Sequence, residues 1–314
     1  MRAALSSDAP VTVPAVHHFD TTAHVIIMDD AGPNSLPLKA ALLAGRITPR
    51  RAATLGTELG SFLRALHARG RAHATPLHAF GNNPDMREIS GWATYGRLGA
   101  TLRAPGGAAA GIECGQGMRD QSVVLSVLGD EPLGVSEETL RVVEALAELR
   151  VAQIREPREG TTFVMGDFWP GNILVGGRKG EADSEDEDED DRVMVVDWEV
   201  ARTGLAGLDV GQFCAELATL RRLRPERAEA AGEALKNFVR AYFAGDVGSE
   251  ADETRRVALG HFGVHLAVWT PRTGWNAGAE ATRAVVLTGV ARLAEGTNAD
   301  RIWTDEELIQ NFMC

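Results

Sequence analysis

Two short apolar runs, joined by a turn that carries an Asp and an Asn, constrain this chain more than any other feature. The first run is Val164-Met165-Gly166-Asp167-Phe168-Trp169-Pro170-Gly171-Asn172-Ile173-Leu174-Val175, and the second is Val193-Met194-Val195-Val196-Asp197-Trp198-Glu199. Asp167 and Asn172 stand five positions apart, and the second apolar strand delivers Asp197. A loop that turns back on itself between such strands brings all three side chains to one point. That set suits phosphoryl transfer, in which a carboxylate orients or deprotonates the attacking hydroxyl while an Asn and a second Asp hold Mg²⁺ against nucleotide phosphates. The plain alternative is an acidic turn between two ordinary strands.

At these residues the chain resembles the aminoglycoside phosphotransferase and choline kinase superfamily, relatives of protein kinases that act on small molecules. The resemblance runs from about Val13 to the last helices. It implies an α+β, protein-kinase-like fold: a small-lobe remnant and hinge over residues 1–35, then a mostly helical large lobe over 36–314. It implies that Asp167 is catalytic, that Asn172 and Asp197 hold Mg²⁺ and contribute to the ATP site, and that Asp209 caps the following helix and ties down the catalytic loop. Met165 stands where the family usually has His, so Met165 and Gly166 are expected to support the loop with altered geometry. Trp198-Glu199 replaces the protein-kinase DFG and no APE-like segment follows, which disfavours a protein kinase.

Ala23 to Gly32 reads as a buried strand entering a polar turn. The resemblance makes it the hinge, with Ile27, Met28, Asp29 and Asp30 beside the adenine. A kinase-like site also uses a Gly-rich loop and a strand Lys paired with a helix Glu. The first lysine here is Lys39, beyond the hinge, and Met1 to Ser6 resembles the last turn of the Glu-bearing helix. Three readings follow. The first is an ATP- and Mg²⁺-dependent kinase for a hydroxyl or amine of a small metabolite or antibiotic. The second is a pseudokinase-type binding or scaffold protein, and the third is an enzyme that reuses the cleft for another reaction.

The formal charge of −12 falls to −3 once the nine acidic residues between Glu181 and Asp191 are set aside. The body is then nearly neutral, which argues against a nucleic-acid partner. The acidic tract reads as a solvated insertion at 178–192 between the two catalytic strands. Cys114, Cys214 and Cys314 are widely spaced and suggest neither a disulfide framework nor a zinc site. No apolar run has the length of a signal peptide or a membrane span, so a cytoplasmic setting is expected.

Thr48-Pro49 opens a helix with Leu55, Leu59, Phe62, Leu63 and Leu66 on one face, expected to stop at Gly70 and to pack under the catalytic hairpin. His67 reads as a helix-terminus residue. From Thr75 to Glu131 the pattern is irregular, and Gly111 to Gly117 reads as a flexible loop. Within it, Trp92 to Leu98, with Trp92 and Tyr95, is either an acceptor-binding element or an aromatic anchor. Ser136 caps a helix to about Ile154, and helices are expected near 208–222, 226–244, 251–269 and 278–295. His261 and His265 share a helix face, read as packed rather than metal-binding. Trp169, Trp269 and Trp275, with Trp303 and Arg272, are candidates for an acceptor pocket or for core.

Overall fold

The short apolar runs of the motif are β-branched and bounded by Gly, Asp and Pro, which makes them short strands rather than helices. In the computed structural model, which describes residues 9–72, 83–104, 116–156, 161–176, 192–296 and 301–313, they become β5 (Thr162–Val164), β6 (Ile173–Val175) and β7 (Val193–Val195). β6 and β7 pair antiparallel with Ile173 opposite Val195. β1 (Val11–Thr12) joins β7 in parallel and β4 (Leu36–Pro37) joins β6 antiparallel, giving a four-stranded sheet ordered β1-β7-β6-β4. β5 pairs separately with β8 (Arg202–Gly204). The acidic insertion, the Gly111–Gly115 stretch and Met1 to Ser6 lie outside the described residues.

Helices enclose these strands: α1 (Leu38–Leu43), α2 (Pro49–Ala72), α3 (Pro84–Ser90), α4 (Leu98–Arg103), α5 (Gln116–Leu128) and α6 (Glu137–Arg155) precede β5. After β8 come α7 (Gly207–Leu223), α8 (Ala228–Tyr242), α9 (Ser249–Trp269), α10 (Ala279–Glu295) and α11 (Asp305–Phe312). The fold is α+β and protein-kinase-like. The expected helices after Asp197 are present. α11 is an additional one, opened by a capping box in which Thr304 and Glu307 satisfy each other's backbone N–H groups.

α2 packs along α8 and, through Phe62 against Phe168, also beneath the catalytic turn. A Cβ on Gly56 would sit 2.2 Å from the Ala234 carbonyl oxygen and one on Gly60 2.4 Å from that of Phe238, so the helices meet backbone to backbone. Gly70 does not end α2, which runs to Ala72. Instead, a Cβ at Gly70 would fall 2.3 Å from Thr162 Oγ1, so the missing side chain lets β5 approach the helix. The stretch expected to be irregular before Glu131 contains α3, a π-helical turn over Gly91–Gly96, α4 and α5. Local Gly content hid these helices, whose apolar faces are completed by tertiary contacts.

The expected buried strand at the hinge is also corrected. β3 (Val25–Met28) is exposed at all four positions, with Ile27 52% and Met28 45% accessible. It pairs only with β2 (Val16–Asp20), and no third strand joins this ribbon among the described residues. An apolar run indicates that a strand can be buried; whether it is depends on what packs against it.

Candidate active site

The turn between β5 and β6 is anchored from beneath by Phe168, fully buried among Phe62, Phe213 and Phe238 at ring separations of 6.5, 5.3 and 6.2 Å. With Phe168 pointing into the core, the neighbouring Asp167 is only partly buried. Both its carboxylate oxygens are held: Asn172 Nδ2 donates to Oδ2 at 2.9 Å and Gln212 Nε2 to Oδ1 at 2.5 Å. Burial raises the Asp167 pKa above the ordinary Asp range, with a further push from Asp197. The bonds from Gln212 and Asn172 and the charge of His265 oppose it.

Asp209 is completely buried, and its carboxylate accepts the backbone N–H groups of Met165 at 2.8 Å and Gly166 at 2.9 Å. It does not cap α7, whose N-cap is Ala206. Asp209 lies in the helix's first turn and spends its oxygens on the loop. Gly166 has φ +82°, and a Cβ there would lie 2.6 Å from the Val200 carbonyl oxygen, so no other residue fits this turn without strain. Met165 contributes its backbone to this tether and buries its side chain in the core. His67 is not a helix-end residue facing solvent. It is buried, with Nε2 3.2 Å from Asp209 and Nδ1 2.7 Å from the Tyr242 hydroxyl.

Asn172 also donates to the Asp167 carbonyl oxygen at 3.0 Å, closing the loop on itself. Its carbonyl oxygen accepts from Val196 N–H at 2.9 Å, which joins the loop to the strand leading to Asp197. Asp197 has a left-handed backbone, φ +69°, a conformation Asp tolerates better than most residues and one that turns its exposed carboxylate out of the strand register. The Asp197 carboxylate first, then burial, raises the Glu199 pKa above the ordinary Glu range.

The remaining predicted residues divide. Asp29 Oδ2 accepts from Ala15 N–H at 2.9 Å and its other oxygen meets His17 at 2.6 Å, while Asp30 accepts from Gly32 N–H at 3.0 Å. These carboxylates shape the β2–β3 ribbon and the turn after it. Trp169 and Trp275 flank the Lys39 ammonium, with ring centroids at 5.1 and 4.1 Å. That ammonium donates to Glu216 Oε2 at 2.8 Å, and Glu216 Oε1 lies 3.0 Å from His265 Nε2. Burial alone would push Glu216 up, but the hydrogen bond and charge of His265, then those of Lys39, outweigh it and hold its pKa below the usual Glu range.

Trp269 packs against His265 at 6.1 Å and donates to Thr94 Oγ1 at 3.1 Å; Tyr95, buried, has its hydroxyl 2.8 Å from His261 Nδ1. Trp92 is 43% exposed, with the Arg97 guanidinium 4.1 Å above its ring. The 91–96 turn is therefore anchored on α9 by Thr94 and Tyr95, with Trp92 on its outer side. Trp303 is excluded from any pocket: it is 1% exposed, packed in the core under the Arg301 guanidinium. A groove of about 520 Å³ between Arg71, Ala206 and Glu250 contains none of these residues.

Sequence reasoning missed Gln212, Glu216, Lys39 and the His67 bridge. A signal for two of them existed: Asp209, Gln212 and Glu216 follow i, i+3, i+7 spacing, one face of a helix otherwise dominated by Val210, Phe213, Cys214, Ala215, Leu217 and Ala218.

An enzyme named 4-hydroxytryptamine kinase from Psilocybe cyanescens is 25% identical over 271 residues, which is 86% of this chain and 63% of that enzyme. Its namesake from Psilocybe cubensis is 24% identical over 93% of this chain and 69% of its own length. A choline/ethanolamine kinase family protein from Mesorhizobium loti has a TM-score of 0.42 at 15% identity, covering 96% of this chain and 79% of its own. A glucosamine kinase in complex with glucosamine, ADP and inorganic phosphate has a TM-score of 0.43 at 18% identity, covering 86% of this chain and 59% of its own. At those scores the superpositions are too loose to transfer any residue. The model of the phosphotransferase enzyme family, APH, matches residues 1–248, and the chain belongs to that family.

Proposed function

We propose that the chain is an ATP- and Mg²⁺-dependent phosphotransferase acting on a hydroxyl or amine of a small-molecule metabolite or antibiotic. The observation that carries this reading is the double restraint of Asp167 by Gln212 and Asn172. A carboxylate fixed at both oxygens is pre-organised to orient an acceptor, and orientation supplies much of the acceleration in phosphoryl transfer. The family membership and the kinase names of two relatives support it further.

Asp167 takes the proton of the acceptor group as its oxygen or nitrogen bonds to the γ-phosphorus and the bond to the departing diphosphate oxygen breaks. Its burial-raised pKa makes it a better proton acceptor than an exposed Asp. Asn172 and Asp197 offer one amide and one carboxylate, a donor set that suits Mg²⁺, which takes few protein ligands and completes its shell with phosphate and water. Mg²⁺ bound there would neutralise charge on the phosphates. Ile27 and Met28 offer exposed apolar surface for the nucleotide base, and Asp29 and Asp30 hold the adjoining backbone. Trp169, half-buried two positions from Asp167 in the catalytic loop, is the candidate for the acceptor side.

The test is thermal unfolding with and without Mg·ATP, alongside Asp197→Asn. A nucleotide that binds only the folded state at 100 times its Kd adds about 2.7 kcal/mol. A Mg²⁺-dependent rise that Asp197→Asn abolishes is expected; no shift at millimolar nucleotide would overturn the reading. A second reading, a binding protein with impaired transfer, is favoured by one observation. Among the described residues both lysines, Lys39 and Lys236, are paired with carboxylates, Glu216 and Glu233. In that case nucleotide binds without transfer of its γ-phosphate.

A further inference from the structure

The hydrogen bonds that hold the catalytic loop continue past it to a groove at the ends of α2 and α8. Asp209, which accepts the Met165 and Gly166 N–H groups, lies 3.2 Å from His67 Nε2, and His67 Nδ1 lies 2.7 Å from the Tyr242 hydroxyl. Tyr242, the last residue of α8, lines a cavity of about 250 Å³. That cavity shares Arg71, Glu250 and Thr254 with the groove of about 520 Å³, so the two form one depression. Its wall carries Thr161, the residue before β5, and Leu205 and Ala206, which join β8 to α7. A Cβ on Gly207, the first residue of α7, would lie 2.6 Å from the Thr254 carbonyl oxygen, so α7 and α9 touch backbone to backbone here. The strand that leads into the catalytic loop and the helix that tethers it both root in this groove, while Asp167, Asn172 and Asp197 do not line it.

An ion pair crosses the depression. Arg71 Nε lies 2.7 Å from Glu250 Oε1, with the two side chains 30% and 61% exposed. A pair that open contributes little to stability and parts at little cost. The ligand that gains most from parting it is decided by the two charges. A lone anion offers a partner to Arg71 alone, a lone cation to Glu250 alone, and a neutral molecule to neither as an ion. A zwitterion gives both a new partner: its carboxylate takes the guanidinium, which suits bidentate pairing, and its ammonium takes the Glu250 carboxylate. Glu253, three positions along α9, adds a second carboxylate to the lining, and Leu205, Ala206 and Val257 supply its apolar part. The volume falls within the range of about 300–1,000 Å³ typical of small-molecule sites.

We propose that this groove is an effector site for a free α-amino acid with an apolar side chain, which inserts between Arg71 and Glu250 and is felt at the catalytic loop through Tyr242, His67 and Asp209. Burial raises the Tyr242 pKa and the Arg71 guanidinium lowers it, so the position of Arg71 acts on the hydroxyl that bonds His67. Binding and its transmission to the loop stand on this geometry; a change in turnover rests on the phosphotransferase reading.

The experiment is thermal unfolding of the chain titrated with L-leucine, L-methionine and L-phenylalanine. The controls are 3-methylbutylamine and 4-methylpentanoate, which keep the leucine side chain with one charge each. At least one amino acid should give a saturable rise in melting temperature that neither control reproduces. Arg71→Met and Glu250→Gln should each weaken that binding about tenfold or more, the loss of one hydrogen bond to a charged group. No rise with any of the three, an equal rise with the controls, or undiminished binding in either variant overturns the site. The wild-type titrations decide the question even where a variant does not fold.

Transmission is read by hydrogen–deuterium exchange of the peptide covering residues 163–168, which holds the Met165 and Gly166 N–H groups. Its exchange should slow about twofold or more when the amino acid binds, and Tyr242→Phe should keep binding and lose the slowing. Unchanged exchange at saturation, or slowing that persists in Tyr242→Phe, overturns the effector role. None of these measurements uses nucleotide. Failure of the Mg·ATP shift with amino-acid binding intact removes the kinase reading alone, and the reverse pattern removes this proposal alone.

Discussion

Asp209→Ala is the sharpest test of how the catalytic loop is held. The substitution removes the acceptor of two backbone N–H groups, at 2.8 and 2.9 Å, and of His67 Nε2 at 3.2 Å, all at a carboxylate with no solvent exposure. Each buried donor left without a partner costs about 1–3 kcal/mol. Arg202, 3% exposed, also loses the negative charge that partly offsets its desolvation. Breaking a buried charge pair from one side costs about 3–5 kcal/mol, and the two routes overlap rather than add, so about 3–5 kcal/mol is expected. Asp209→Asn retains one acceptor oxygen and should lose about half as much. Urea unfolding followed by circular dichroism reads both values. A loss below about 1 kcal/mol for Asp209→Ala would refute the tether, because it would mean that the loop finds other partners at no cost.

Three further outcomes are expected. Burial first, then His265, Arg150 and Arg202, holds the pKa of His261 well below the ordinary His range, while Tyr95 bonds its Nδ1. Its contribution to stability is therefore full above about pH 6.5 and is lost as pH falls below it, by up to ~1.4 kcal/mol per unit. His261→Gln should flatten the stability decline between about pH 6.5 and 5.5, and identical slopes would show that this group is not responsible. Gly56→Ala gains up to about 1 kcal/mol of helix propensity, yet its methyl would sit 2.2 Å from the Ala234 carbonyl oxygen. Separation of α2 and α8 should outweigh the gain, with a net loss of about 1–2 kcal/mol by urea titration, and a stabilised variant would contradict the backbone-to-backbone packing. Gln212→Leu removes one of the two restraints on Asp167, worth about 1.5–3 kcal/mol for a bond to a charged group. Turnover in acceptor-free ATP hydrolysis should fall about 10- to 100-fold with nucleotide affinity unchanged, and unaltered turnover would deny Gln212 a positioning role.

What the sequence made legible follows the range over which each constraint acts. Asp167 and Asn172 are bonded to each other within one turn, so their spacing already contained the geometry. The Ser136 cap accepts from Thr139 N–H, and Thr48-Pro49 opens α2, again through contacts a few residues apart. The misses were made by distant partners. His67 reaches Asp209 across 142 positions and Tyr242 across 175, and Lys39 reaches Glu216 across 177. Nothing local distinguishes a histidine near a helix end from one locked between two elements. The exposed β2–β3 ribbon erred the other way: its four apolar residues satisfy the local criterion for a core strand, while burial depends on a covering element.

α7 joins these observations mechanically. Asp209 fixes the start of the catalytic loop, Gln212 fixes the orientation of Asp167, and Glu216 fixes Lys39 and His265. The three polar residues lie on one face of a helix whose other positions are largely buried and apolar. Rotation of α7 by one residue, about 100°, would withdraw all three contacts together. The apolar faces buried against α8 and α9 oppose that rotation, because close-packed interiors do not deform continuously. The precision of the site is thus inherited from the core. A cavity-forming substitution in α7, such as Phe213→Ala, should loosen the loop, Asp167 and the Lys39–Glu216–His265 contacts together, whereas substitutions in the β2–β3 ribbon should leave all three in place.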